Sequence, residues 1–373
     1  MEIENHQKHT KLKRRENGNF APNEISILGT KCSIIADFVQ KMSKKLQKRH
    51  KIAYFDASHN NEIKVPDFDT FTAQHSGSLN AHSIAEINEY NERIRFSNYD
   101  LLFINGNHYI GAKQILILDN EKKTSVLKRL DQLDRIQFVV KLNEDSQYFD
   151  FLVEKYPTIK NLKCYLIEEV DSIAGHIENL IQEKIAPVRG LVLAGGKSSR
   201  MGTNKTELNY HGKPQLEHAV DLLQDSLLNT FVSVATDQHL DNFETIQDKF
   251  VGLGSFGGIC SAFQQDPNKA WLVLATDLPF VSGDLIQLLL QKRNPQKMAT
   301  AIKGKSKPFV EPLIAIYEPK AYPVLLSYLA QGYSCPRKVL INSDVEIVEV
   351  DDNLIRNINT PEEFKDAHRE INE

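Results

Sequence analysis

The chain has 373 residues, which at about 150 residues per domain leaves room for two or three cores and excludes a single small binding module. Lys plus Arg number 45 and Asp plus Glu 49, a net charge of −4, with 25% charged and 41% hydrophobic residues. That balance excludes disordered, collagen-like and coiled-coil classes and argues against nucleic acid as the main partner.

Residues 1–22 are polar and basic, with Lys8, Lys11, Lys13, Arg14 and Arg15 and without the apolar core of a signal peptide, so a solvated, disordered leader is expected. No apolar run approaches the length of a membrane span, and a cytoplasmic protein without a membrane partner is expected. From there short apolar runs alternate with amphipathic stretches, the pattern of an α/β protein with largely parallel sheets. The first series predicts a strand over 24–29, a helix over 33–48 and a strand over 51–56. Strands over 99–105, 114–119, 136–141 and 163–167 follow with helices between them, then a helix over 171–184. Pro187 resists continuing that helix and sets the expected division into domains over 23–186 and 187–373.

In the first domain Gly29-Thr30-Lys31-Cys32-Ser33 joins a strand to a helix as a phosphate loop does, but too few residues separate Gly29 from Lys31 to wrap a phosphate. His59 and His75 read as loop polar groups, and the Lys-rich helix over 41–51 as a solvated face. Cys32, Cys164, Cys260 and Cys335 have no C-x-x-C spacing, so neither a disulfide framework nor a zinc site is written.

The second domain opens with a strand over 188–193 that runs into Leu193-Ala194-Gly195-Gly196-Lys197-Ser198-Ser199-Arg200-Met201-Gly202-Thr203-Asn204-Lys205. Consecutive glycines let backbone N–H groups approach an anion, and Lys197, Arg200 and Lys205 add positive charge to the same segment. The spacing is neither a Walker A loop nor a dinucleotide G-x-G-x-x-G. Further on, Asp277 follows an apolar strand over 271–275, which puts its carboxylate at a carboxyl edge of the sheet, where such proteins place ligands. There it can hold Mg²⁺ with few protein ligands; an N-capping role before Leu278-Pro279 is the alternative.

The long string resembles the signature L-A-G-G-x-S-x-R-M-G-x-x-K of nucleotidyltransferases that activate small molecules with a nucleoside triphosphate, and is most similar to the molybdenum cofactor guanylyltransferases. The likeness continues in order through Leu208 to Pro214, Gly254-Ser-Phe-Gly-Gly258, Thr276-Asp277-Leu-Pro279 and Asn357-Ile-Asn-Thr-Pro-Glu-Glu-Phe364. It implies a Rossmann-like nucleotidyltransferase domain that transfers GMP from GTP to molybdopterin and releases pyrophosphate. Implied catalytic residues are Lys205, Arg200 and Asp277, the last also holding the metal. Implied nucleotide-binding residues are Leu193, Ala194, Gly195, Gly196, Lys205, Asp237, Asp248, Gly257, Asp277 and Asn359. The glycine pairs 195–196 and 257–258 favour guanine over cytosine. Asp237 stands where the family usually has Asn, and Ser255 and Phe256 replace its Pro and Leu. Arg337, Lys338 and Lys307 are candidates for the phosphate of the acceptor.

The element order of the first half resembles the GTP-binding adaptor that accompanies the guanylyltransferase, a P-loop-NTPase-like α/β domain. Here Asn105 replaces the adaptor's Glu before Gly106 and the phosphate loop is shortened, so a degenerate domain without GTP hydrolysis is expected. Cofactor-synthesis proteins and molybdoenzymes are the implied protein partners. Cytidylyl transfer to the same cofactor, nucleotidyl transfer to a sugar phosphate and a non-catalytic delivery role stand as alternatives.

Overall fold

Asn23 and Gly29 bracket the run Glu24–Leu28, which forms β1 with all five residues buried, as a parallel strand covered on both faces must be. The computed structural model describes residues 18–57, 68–75, 78–84, 86–194, 205–236 and 238–373. They belong to two units, Met1–Lys184 and Ile185–Glu373.

In the first unit β1 leads to α1 (Cys32–Leu46), β2 (Ile52–Phe55), β3 (Thr70–Ala73), β4 (Leu79–His82), α2 (Glu89–Phe96), β5 (Leu101–Asn105) and β6 (Gln114–Leu118). Then come α3 (Lys123–Lys128), β7 (Ile136–Lys141), α4 (Asp150–Lys155), β8 (Cys164–Leu166) and α5 (Val170–Gln182). Six strands form a parallel sheet in the order β2-β5-β1-β6-β7-β8, and β3 and β4 pair as a separate antiparallel hairpin. The period of two sends Ile25, Ile27, Ile115 and Ile117 into the core under α1 and α5, and Leu28, Leu116 and Leu118 into the opposite one.

The expected leader is too long at its inner end. Phe20 and Ala21 are 5% and 1% exposed, and Phe20 packs on Phe55 with ring centroids 4.9 Å apart. The Glu24 carboxylate accepts the N–H groups of Asn19, Phe20, Ala21 and Ala112, which ties this turn to the sheet. Residues 1–17 lie outside the described residues, as does His59; His75 is exposed. Gly29 has φ +105°, and a Cβ there would stand 2.2 Å from the Ile117 carbonyl oxygen, so the turn into α1 has no slack.

The second unit contains β9 (Val188–Leu193), α6 (Gln215–Asp225), β10 (Thr230–Val234), β11 (Thr245–Gln247), α7 (Ser255–Gln265), β12 (Ala270–Ala275) and α8 (Gly283–Gln291). It continues with β13 (Ala299–Gly304), β14 (Glu311–Tyr317), α9 (Ala321–Ala330), α10 (Pro336–Ile341), β15 (Val345–Val350) and α11 (Pro361–Asn372). The sheet order is β11-β10-β9-β12-β14-β13-β15, with β14 antiparallel to both neighbours and the other pairings parallel. Val192, Leu272 and Leu274 pack on the face bearing α6 and α8; Leu191, Trp271 and Val273 pack on the face bearing α7 and α9. Phe256, unusual for the resembled family, fills the second of these cores with no exposed surface.

Candidate active site

Parallel register places Ala275 beside Leu193, so the chain leaves β9 and β12 at the same carboxyl edge of the sheet. Asp277 stands two residues past β12, and its backbone carbonyl accepts the Ile358 N–H at 2.9 Å. That bond brings the segment ahead of α11 to the same edge. Lys205 Nζ donates to Asn359 Oδ1 at 2.7 Å and lies 3.6 Å from Asp277 Oδ2. Three residues taken from three separate motifs therefore meet.

The segment is held from behind by the cap of α11. Thr360 Oγ1 accepts the Glu363 N–H at 3.2 Å, while Glu363 Oε2 accepts the N–H groups of Asn359 and Thr360 at 2.6 and 3.1 Å. This is the reciprocal box that a Thr-x-x-Glu spacing writes. Tyr210 is 1% exposed and packs edge-on against Phe364 of α11 at 4.9 Å. Burial, and after it the charges of Asp277 and Glu363, push its hydroxyl pKa up.

The Asp277 side chain is 24% exposed, yet its Oδ1 is buried and has no hydrogen-bond partner among the described residues. Burial raises the carboxyl above the usual carboxylate range, opposed by the nearby Lys205 ammonium. Asp277 is not a helix cap, because α8 begins six residues on and is capped by Ser282. Among the described residues no three His, Cys, Asp or Glu side chains group as a metal cluster. The donor set is one carboxylate oxygen left over beside a carboxamide oxygen, which suits a hard, water-retaining cation.

Leu193 is the buried last residue of β9, and the Ala194 N–H reaches the Ser233 carbonyl at 3.2 Å. Gly195, Gly196, Arg200 and the rest of 195–204 lie outside the described residues, and so does Asp237. Asp248 follows β11, where its Oδ1 accepts the Phe250 N–H at 2.8 Å and the Ser261 hydroxyl at 3.0 Å. A Cβ on Gly257 would stand 2.6 Å from the Phe250 carbonyl oxygen and 2.8 Å from Asp248 Oδ2; one on Gly258 would stand 2.6 Å from Ser233 Oγ. At Gly257 the obstructing atom is backbone, so packing of α7 on the sheet excludes a side chain there; at Gly258 it is the Ser233 hydroxyl, which can turn.

Two further features stand beside these residues. His211 and His218 stack with centroids 3.7 Å apart, and His211 Nε2 donates to the Pro279 carbonyl at 2.9 Å, bracing the turn that presents Asp277. Glu311 is 7% exposed at the start of β14. Its only sequence signal is an acid opening a strand whose remaining positions are mostly buried. Arg337 pairs with Glu311, whereas Lys307 and Lys338 are exposed.

Residues 190–346 match the family model described as the MobA-like NTP transferase domain. A molybdenum cofactor biosynthesis bifunctional protein of Synechocystis is 33% identical over 183 residues, which cover 48% of this chain and 53% of that protein. The chain thus spans about half the length of that relative. A probable molybdenum cofactor guanylyltransferase of Carboxydothermus hydrogenoformans is 30% identical over 188 residues, covering 47% of this chain and 91% of the relative. The crystal structure of molybdopterin-guanine dinucleotide biosynthesis protein A from Archaeoglobus fulgidus is 26% identical and covers 49% of this chain and 98% of its own, with a TM-score of 0.42. Through its second unit, whose sheet edge gathers Lys205, Asp277 and Asn359, the chain belongs to the MobA-like nucleotidyltransferases, the family of the molybdenum cofactor guanylyltransferases.

Proposed function

We propose that the chain transfers GMP from GTP to molybdopterin, giving the guanine dinucleotide cofactor and pyrophosphate. The meeting of Lys205, Asp277 and Asn359 at one sheet edge carries this reading. Asp277, whose buried Oδ1 has no partner among the described residues, would hold Mg²⁺, and the Asn359 carboxamide oxygen lies across Lys205 from it. A bound Mg²⁺ supplies charge compensation for the triphosphate as pyrophosphate departs.

Lys205 leaves Asn359 and Asp277 for phosphate oxygens and brings a positive charge to the leaving side, joined by Arg200 from the glycine-rich segment. A terminal phosphate oxygen of the acceptor attacks the α-phosphorus and forms the new P–O bond. The bond from the α-phosphorus to the α,β-bridging oxygen breaks, and its electron pair leaves with pyrophosphate. The nucleophile is already ionised, so this chain positions and screens two anions and needs no base. Leu193, Ala194, Gly195, Gly196, Asp237, Asp248 and Gly257 are assigned to the nucleotide. Guanine is preferred on the names of the relatives and on the Gly195-Gly196 pair; Gly257 is explained by packing.

The first unit is read as an adaptor-like domain without GTP hydrolysis. Lys31, the lysine of the shortened loop, pairs with Glu121 at 3.0 Å. Asn105 is fully buried and accepts the Asn107 N–H at 3.0 Å. Among the described residues no helix is long and apolar enough to cross a membrane, and the reaction is assigned to the cytoplasm, with cofactor-synthesis proteins and molybdoenzymes as partners.

Pyrophosphate release from the full chain tests the reading. It should require GTP, molybdopterin and Mg²⁺ together and stop on addition of a chelator; release without the acceptor, or a clear preference for CTP, would sink the guanylyl assignment.

A further inference from the structure

Four acids of the described chain are buried: Glu24, Asp119, Glu311 and Glu318. Three are well satisfied. Glu24 takes four backbone N–H groups. Asp119 takes the Thr30 hydroxyl at 2.7 Å and the Glu121 N–H at 3.0 Å. Glu318 is gripped at both oxygens by Arg293, at 2.7 and 2.8 Å.

Glu311 differs. Its Oε2 receives one Arg337 N–H at 3.0 Å and the Asn357 amide at 3.4 Å, and its Oε1 receives the Leu313 N–H at 3.3 Å. A buried charge so loosely held is expensive to keep, and Asp277 is near enough for its charge to add to that cost. If Glu311 served stability alone, the two-pronged arrangement of Glu318 with Arg293 would be the better device. What the looser arrangement leaves is donors. The Arg337 side chain is 46% exposed and spends one of its five N–H groups on Glu311 among the described residues. Asn357 precedes Ile358, whose N–H is bonded to the Asp277 carbonyl, and sits two residues from Asn359, the partner of Lys205. Glu311 thus ties an exposed guanidinium and an amide to the backbone that carries the Lys205 and Asp277 centre.

We propose that Glu311 is a positioning residue for the acceptor side of the site, holding Arg337 and Asn357 so that they receive a phosphate monoester beside Asp277. This rests on the nucleotidyl-transfer reading above. The four side chains Asp277, Glu311, Lys205 and Arg337 sum to no net charge, so each acid is matched by a base before either anionic substrate arrives. Removing Glu311 releases Arg337 to swing, which weakens capture of the acceptor without touching the nucleotide side.

The test is steady-state pyrophosphate release by the full chain, with molybdopterin varied at saturating Mg²⁺ and GTP and then the reverse. Glu311→Ala should raise the acceptor KM about tenfold and leave the GTP KM within about twofold. Glu311→Gln keeps an oxygen for Arg337 and should recover most of the loss. Arg337→Ala should match Glu311→Ala, and the double variant should be no worse than Arg337→Ala, since a positioning residue acts through its client. Additive losses, or a shift in GTP KM in place of acceptor KM, overturn the inference. If Glu311→Ala does not fold, Glu311→Leu, which also removes both oxygens from Arg337, enters the same cycle. A calorimetric titration with inorganic phosphate, in Mg²⁺ and a non-hydrolysable GTP analogue, separates the two claims. Phosphate binding lost in Glu311→Ala and kept in Glu311→Gln supports the positioning role even if wild type shows no turnover, which would overturn only the reaction. Equal phosphate binding, or none, in all three proteins overturns the positioning role.

Discussion

Replacing Asp277 by Asn exchanges a carboxylate for an amide of the same shape at a partly buried acid with one unpartnered oxygen among the described residues. Without ligand, Asp277 Oδ1 is buried and unpartnered among the described residues and its Oδ2 lies 3.6 Å from Lys205, while burial raises its pKa. A buried acceptor left unmade costs about 1–3 kcal/mol, more when charged. Asp277→Asn removes the charge and leaves Lys205 its bond to Asn359, so the ligand-free variant should be more stable than wild type by about 1 kcal/mol, or roughly 2–4 °C in Tm. The sign of the pH dependence follows from the raised pKa. The folded chain keeps this proton to higher pH than the unfolded chain, so the group's contribution is present in acid and is lost as pH rises through the folded value. The variant's margin should therefore grow upward from the ordinary carboxylate value of 3.8. Ligand reverses the order. With Mg²⁺ and a non-hydrolysable GTP analogue at about 100 times Kd, wild type gains about 2.7 kcal/mol, or roughly 5–11 °C, and the variant should gain little. Scanning calorimetry on the full chain reads both effects, and turnover should fall about a hundredfold or more. A variant less stable than wild type without ligand, yet stabilised equally by the analogue, would refute the assignment of Asp277.

Lys205→Ala should lower kcat by about two orders of magnitude, by removing a positive charge that acts on the departing pyrophosphate; single-turnover kinetics at saturating GTP check this, and an effect on KM alone would argue for simple binding. Gly257→Ala places a Cβ 2.6 Å from the Phe250 carbonyl oxygen, and overpacking of this kind costs about 1–3 kcal/mol, seen as a lower urea midpoint. Burial first, then His211 and Lys213, push the His218 imidazole down to about 4 from 6.5. The unfolded chain therefore takes up the proton first, and this group's contribution, complete above 6.5, is lost as pH falls through about 4. His218→Phe, which keeps the ring stack, should flatten that acid-side loss in urea titrations, and an unchanged profile would remove His218 as its source.

The strands, and the places of Asp277 and Asn359 along the chain, are legible because they are written locally. Short, mostly apolar runs mark β1, β5, β6, β9 and β12, and Asp277 stands just past the last of these. The motif Asn357 to Phe364 is legible as part of the family likeness, and the structure adds what it secures: a capping box behind Asn359, which meets Lys205. Long-range pairings were not legible. Glu311 and Arg337 are 26 positions apart, and neither position alone announces the other. The glycine pair 257–258 invited a ligand-based reading, whereas at Gly257 the space for a Cβ is taken by the Phe250 carbonyl oxygen and Asp248. The polar composition of residues 1–22 hides where the fold begins. One aromatic, Phe20, buried against Phe55 and Tyr109, moves the boundary.

Mass spectrometry of the products from full-length protein, molybdopterin, Mg²⁺ and equal GTP and CTP decides whether the second unit attaches GMP to molybdopterin, as proposed. The guanine dinucleotide product with one pyrophosphate per transfer is the predicted result, and it should vanish in Asp277→Asn. A cytosine dinucleotide as the main product, or unmodified molybdopterin with intact triphosphates, would contradict the account.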